Sequence, residues 1–128
     1  MNGDNINDIY VDGGDRIWLA NYPAGVTIRN NRYQSYEWFR HSPGNSRSLV
    51  NDQVHDVIED SEGDLWFATS NGISLLQPAV GRWRSFLSRS DGIQDGGNHI
   101  FLTLCEVSPG VICAGGYASG LYRIEKKT

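Results

Sequence analysis

This chain repeats itself, and that repetition constrains its fold more than any other feature of its 128 residues. Residues 6–29 read INDIYVDGGDRIWLANYPAGVTIR and residues 54–76 read VHDVIEDSEGDLWFATSNGISLL; an offset of 48 superposes them. Ile6 then falls on Val54, Asp8 on Asp56, Ile9 on Val57, Asp12 on Asp60, Ile17 on Leu65, Trp18 on Trp66 and Ala20 on Ala68. After a one-residue gap Gly25 meets Gly72, and at an offset of 47 Tyr36 and Phe39 meet Trp83 and Phe86, so the unit extends through a fourth segment. A degenerate third copy, HIFLTLCEVSPGVICAGGYASGLYRIE, occupies residues 99–125. Aligned by eye, it places Ala114 at Ala68, Gly120 at Gly72, and Ile112 in place of the tryptophan. Self-similarity at such a period marks an array of like supersecondary units.

Each unit consists of short β-branched or aromatic runs divided by turn residues, with no sustained 3.6-residue period, so the units are all-β. In the second unit the strands are expected at about 53–59, 64–69, 73–77 and 82–87, joined by DSEG, SNG and PAVG turns. The 15 glycines, well above the usual share, fit a chain of many tight turns. The segments IWLA, LWFA and VICA are apolar on both faces, where a sheet with one wet face would alternate, so both faces must be covered. Repeated four-stranded sheets covered by their neighbours describe propeller blades. The expected fold is therefore an all-β β-propeller fragment of about three four-stranded antiparallel blades, with units at about 5–47, 48–92 and 93–128 in a single partial propeller over 1–128. The third unit supplies three strands, so its blade is incomplete. Three blades do not close a ring, which leaves two apolar faces and a strand edge bare and predicts self-association through the open blade ends.

Composition narrows the partners. The net charge of -4 and the lack of a Lys/Arg cluster argue against nucleic acid. No apolar run approaches the ~18 residues of a membrane helix, and the polar start MNGDNIND does not read as a signal peptide, so no membrane contact by this segment is expected. The two cysteines, Cys105 and Cys113, form no metal motif; they flank one hairpin and read as buried free thiols.

The stretch SLVNDQVHDVIEDSEGDLWFATSNGISLL, residues 48–76, closely resembles the two-component regulator propeller repeat, with its Asp, Gly, Leu-Trp, Thr and Asn-Gly-Ile positions present. The first unit departs from that pattern in carrying Asp15 at the Gly63 position, and the third in lacking both tryptophan and aspartate. The resemblance implies an excerpt of the periplasmic sensor region of a bacterial hybrid two-component histidine kinase, non-catalytic in itself, recognising an oligosaccharide-type signal and requiring no cofactor. Two other functions are weighed against this one. A propeller lyase would need a closed ring and a metal with recurring histidines, whereas His41, His55 and His99 do not recur at one blade position. A protein-docking platform would need no small ligand.

Structural roles are expected for Asp12, Trp18, Gly25, Asp60, Gly63, Trp66, Gly72, Gly110 and Gly120, the residues of the recurring turns and the inter-blade aromatic position. Asp60, Glu62 and Asp64 around Gly63 resemble a calcium loop only superficially. An EF-hand needs a closing Glu at its twelfth position, where Asn71 stands, so no metal is expected. Ligand contacts are expected on the face shared by loops 21–24, 40–52, 70–72, 88–98 and 116–119. These loops carry Asn21, Tyr22, His41, Arg47, Asn71, Arg89 and Tyr117, whose flat rings and fork-shaped donors suit sugar hydroxyls or carboxylates.

Overall fold

The computed structural model describes residues 5–30, 35–88 and 99–126. Eleven strands form three separate antiparallel sheets, and no helix occurs among the described residues. The first sheet is a meander of β1 (Asn5–Val11), β2 (Arg16–Tyr22), β3 (Gly25–Asn30) and β4 (Ser35–Phe39). The second repeats it with β5 (Val54–Glu59), β6 (Leu65–Thr69), β7 (Gly72–Gln77) and β8 (Arg82–Phe86), within one residue of the expected boundaries. The third has β9 (Phe101–Ser108), β10 (Val111–Gly116) and β11 (Gly120–Glu125). The sheets stack face to face as three blades, with β1, β5 and β9 as successive inner strands in mutual contact, and the set does not close into a ring.

The apolar repeat segments supply the stacking. β6 is buried along its whole length: Leu65 and Phe67 point toward the first blade, Trp66 and Ala68 toward the third. Between the first two blades lie Trp18, Ala20, Val26, Ile28, Val54, Val57, Leu65, Phe67 and Leu76, closed at the rim by Phe39 and Trp83. Between the second and third lie Trp66, Ala68, Ile73, Leu75, Phe101, Leu104, Ile112, Ala114 and Ile124. Trp18 and Trp66 have no exposed surface. Trp18 packs against Phe67 with ring centroids 5.8 Å apart, and Trp66 against Phe86 at 5.4 Å. Burial of each such side chain contributes on the order of 2–3 kcal/mol.

The third blade corrects the alignment made by eye. Val54, Val57, Leu65 and Phe67 turn toward the first blade; their counterparts turned toward the second are Phe101, Leu104, Ile112 and Ala114. A constant offset of 47 therefore carries residues 54–69 onto 101–116. Cys113, and not Ile112, takes the place of Trp66, and Gly115 takes that of Ala68. The eye was misled by matching alanine to alanine, whereas sheet geometry matches faces. Cys105 and Cys113 do pair across β9 and β10, but on the outer face of the third blade. They are free thiols, Cys105 exposed and Cys113 half-buried, so the expectation of buried cysteines fails.

Two glycines carry the tightest approach. Gly25 and Gly72 open the third strand of their blades with φ of +82° and +91°, and each amide donates to the segment leading into the next inner strand, at Asp52 O and His99 O (both 2.7 Å). A Cβ on Gly72 would lie 2.7 Å from Phe86 O and 2.8 Å from Ser88 Cα, both backbone atoms, and one on Gly25 would strike the Phe39 carbonyl. Gly63 also has positive φ, +86°, but open space around it. At the equivalent turn of the first blade Asp15 takes φ of +62°, the left-handed geometry that Asp tolerates. Gly72→Ala is expected to destabilise the chain by ~3 kcal/mol through strain plus backbone overlap, and Gly63→Ala by ~1 kcal/mol through strain alone. Urea unfolding of the two variants checks the difference.

Candidate functional site

The backbone bonds that recur from blade to blade build one loop face. Ser70 N donates to Gln53 O (3.0 Å) and Tyr117 N to Ile100 O (2.9 Å), so in the second and third blades the loop between the second and third strands is laced to the segment entering that blade's own inner strand. Near the inner strands this face brings together Tyr22 at the end of β2, His55 on β5 and Ser70 after β6. The Tyr22 and His55 rings lie 5.6 Å apart at 38°, and His55 Nε2 is 2.9 Å from Ser70 Oγ. All three are half-buried, and burial lowers the His55 pKa below the usual histidine value, which favours the neutral imidazole near pH 7. A neutral ring, a phenol and a hydroxyl offer donors and acceptors beside a flat surface.

The expected ligand residues do not converge on one point. Tyr22 belongs to the cluster just described. Asn21 turns inward, 4% exposed, its amide donating to Thr27 Oγ1 at 2.7 Å. His41 is exposed, its Nδ1 2.8 Å from Leu49 O and its amide donating to Asp52 Oδ1 at 2.6 Å. It lines a cleft of about 300 Å³ with Gly44, Asn45, Ser46, Ser48, Leu49, Val50 and Ser85. Arg47 is exposed on the same loop but lines a separate groove with Arg82, Trp83 and Arg84 along β8. Asn71 is half-buried, its amide donating to Thr69 Oγ1, and Tyr117 is exposed at the tip of the third blade's loop. Arg89 lies outside the described residues. Sequence reasoning did not pick out His55 and Ser70; a histidine one residue inside an inner strand carries no signal until the neighbouring blade's tyrosine is placed against it.

The recurring turn after each inner strand holds the most strongly bound charges. Asp12 Oδ1 accepts from Gly14 N and Arg16 N, and its Oδ2 accepts from the Trp18 indole at 2.7 Å and from Arg16 Nε at 2.8 Å. Forty-eight residues on, Asp60 Oδ1 accepts from Glu62 N and Asp64 N, and Oδ2 accepts from the Trp66 indole at 2.8 Å. Where the first blade supplies Arg16, the second receives Lys126 from the far end of the third. Its ammonium lies 2.7 Å from a carboxylate oxygen of each of Asp60, Glu62 and Asp64. These three carboxylates have the spacing of a metal cluster, but the Lys126 ammonium already serves as their cation. Burial pushes the Asp60 carboxyl up and Lys126 down, yet both effects are outweighed. The ammonium, the indole and two amides hold Asp60 below the ordinary carboxylate value, and the three carboxylates raise Lys126.

Asp12, held down by the indole, amides and Arg16 against its own burial, shifts the same way as Asp60. For groups lowered in the folded state the stabilisation is full above the ordinary value near 4 and is lost as pH falls through the folded value. Asp60→Ala strands a buried indole and two amides and leaves the Lys126 ammonium with two of its three carboxylates, with an expected loss of about 3 kcal/mol. Asp12→Ala, whose Arg16 partner is one-third exposed, is expected to cost ~2 kcal/mol. Denaturant titrations at pH 7 and pH 3 check both, the gap between each variant and the parent chain narrowing in acid.

Residues 48–71 match the model of a family described as two component regulator propeller. No curated protein matches the chain. Among solved structures it is similar to the extracellular domain of a B. thetaiotaomicron protein, BT3049, described as a hybrid two component system. That match has 23% identity and a TM-score of 0.85, over 98% of this chain and 17% of that one. The extracellular domain of BT4673 from the same organism, described likewise, gives 21% identity and a TM-score of 0.75 over 100% and 16% of the two chains. PorZ of Porphyromonas gingivalis, a bacterial surface component of the type-IX secretion system, gives 19% and 0.69 over 97% and 18%. The chain thus spans about a sixth of the length of these structures, and they share its fold.

Proposed function

We propose that this chain, built on the two component regulator propeller repeat, is a recognition segment of the periplasmic ectodomain of a two-component sensor histidine kinase, and that it holds a carbohydrate-type ligand without catalysing a reaction. The observation that carries this reading is the loop-face cluster of Tyr22, His55 and Ser70. A half-buried phenol ring tilted against a neutral imidazole, with a serine hydroxyl on the imidazole nitrogen, offers a flat face and the paired donors and acceptors that a pyranose presents in return. The extracellular, two-component setting of the similar B. thetaiotaomicron structures supports the sensor role and the location outside the inner membrane. A glycan array probed with the chain is expected to return oligosaccharide hits, and calorimetry on them to show at least a 10-fold weaker affinity for Tyr22→Ala and His55→Ala. Loss of about 1.4 kcal/mol per tenfold is what one stacked ring and one polar contact supply. Equal binding by parent and variants would place the ligand elsewhere, and an array without hits would favour the protein-docking alternative.

We further propose that the two outer blade faces are mutually complementary and associate head to tail between copies. The outer face of the first blade carries Ile6, Ile9, Ile17 and Leu19, the counterparts of Val54, Val57, Leu65 and Phe67, which in the second blade pack against a tryptophan-bearing neighbour. Ile9 and Val11 are 60% and 58% exposed there, and Leu121 is 75% exposed on the outer face of the third blade. Sedimentation of the chain over a range of concentrations is expected to show reversible association that Ile9→Lys weakens; a monomer at every concentration overturns the idea.

A further inference from the structure

The face that a blade turns toward the next carries recurring devices in the first two blades, and the third blade replaces them. Asp8 Oδ2 accepts from Val57 N at 3.0 Å and Asp56 Oδ2 from Leu104 N at 2.7 Å, so a stitch runs from each of these inner strands to the following one. Under the 47-residue offset Asp56, Ile58, Trp66 and Ala68 give way to Thr103, Cys105, Cys113 and Gly115. Ile58 and Trp66 are register partners that pack against the third blade, and two thiols replace them as a pair. Leu104, Ile112 and Ala114 turn to the second blade, which leaves Cys105 exposed and Cys113 half-buried on the opposite face. Directly opposed residues of antiparallel strands share a face and hold their Cα atoms about 4.5–5.5 Å apart, inside the roughly 4.4–6.8 Å that a disulfide spans. The Cys105 thiol donates weakly to Glu106 O at 3.8 Å, a contact that rotation about Cα–Cβ gives up at little cost.

We propose that Cys105 and Cys113 form a reversible dithiol site that closes to a cross-strand disulfide by exchange with a small-molecule or protein disulfide. Cys105, the more exposed of the two, attacks one sulfur of the incoming disulfide as a thiolate. A mixed disulfide forms at Cys105 and one thiolate leaves. Cys113, as a thiolate, then attacks Cys105 Sγ; the bond between β9 and β10 forms and the second thiolate leaves. The pair gives up two electrons and two protons, and the incoming S–S bond ends as two thiols. The register of the two strands already aligns the partners, so closure asks for side-chain rotation and no rearrangement of the sheet. A bridge between adjoining strands of one hairpin encloses a short loop and constrains little of the unfolded chain. The site therefore acts as a modification that a thiol reverses, on the face where the second blade carries its tryptophan.

The decisive measurement exposes the full chain to oxidised glutathione, dilute enough that the head-to-tail association proposed above leaves this face open. Intact mass and alkylation of free thiols follow the reaction. The parent chain is expected to lose the mass of two hydrogens, to block both cysteines together, and to recover them on treatment with dithiothreitol. Cys113→Ser is expected to stop at a single glutathione adduct on Cys105. Because the folded register holds the two sulfurs together, closure in the parent is expected to run about 10-fold faster or more in buffer than in denaturing urea. Should Cys113→Ser not fold, the parent alone decides the matter. A parent that stays reduced, keeps a stable glutathione adduct, links one copy to another or closes no faster folded than unfolded overturns the proposal, as does a folded Cys113→Ser chain that takes up no adduct.

Discussion

An indole buried between two sheets brings an N–H that must be satisfied, and the architecture here depends on how that is done. Trp18 and Trp66 lie wholly inside, and the acceptor each finds is the carboxylate of the turn immediately before its own strand, Asp12 or Asp60. The same carboxylate gathers the amides of that turn, so one side chain closes a hairpin and fixes a large aromatic body at the centre of the inter-blade core. A carboxylate with that many donors stays ionised despite burial. The inter-blade contact and the local turn are therefore one structure, and the motif recurs as a block because none of its parts works alone.

Much of the fold was legible because the period and the two-faced apolar segments are properties of the chain itself. The strands of the second blade fall within one residue of where turn residues and β-branched runs place them. The third blade was legible only in part, since with the tryptophan and aspartate gone the eye aligns alanines, and a one-residue error exchanges the two faces. Cys113 shows the result. It takes the tryptophan position on a face that no described blade covers, which is why it and Cys105 are more exposed than their residue type predicts.

The side-chain constellations were harder to read, for a common reason: each is assembled across blades. Lys126 reaches Asp60 over 66 residues, Asp56 meets Leu104 over 48, and His55 is placed against Tyr22 of the preceding blade. Local pattern identifies the carboxylates of the turn but not the ammonium among them, and a histidine on an inner strand but not the ring tilted against it. Of the expected ligand residues, Asn21 faces inward, while Tyr22, His41, Arg47 and Tyr117 occupy four different neighbourhoods. Loop membership is written in the sequence; convergence on a point is decided by how one blade sits on the next.

The stitches between inner strands also give the stack a polarity. The first two blades each offer a carboxylate acceptor forward, Asp8 to the amide of Val57 and Asp56 to that of Leu104. The stitch thus has a direction, from the carboxylate of one inner strand to the amide of the next, like links that engage in one sense only.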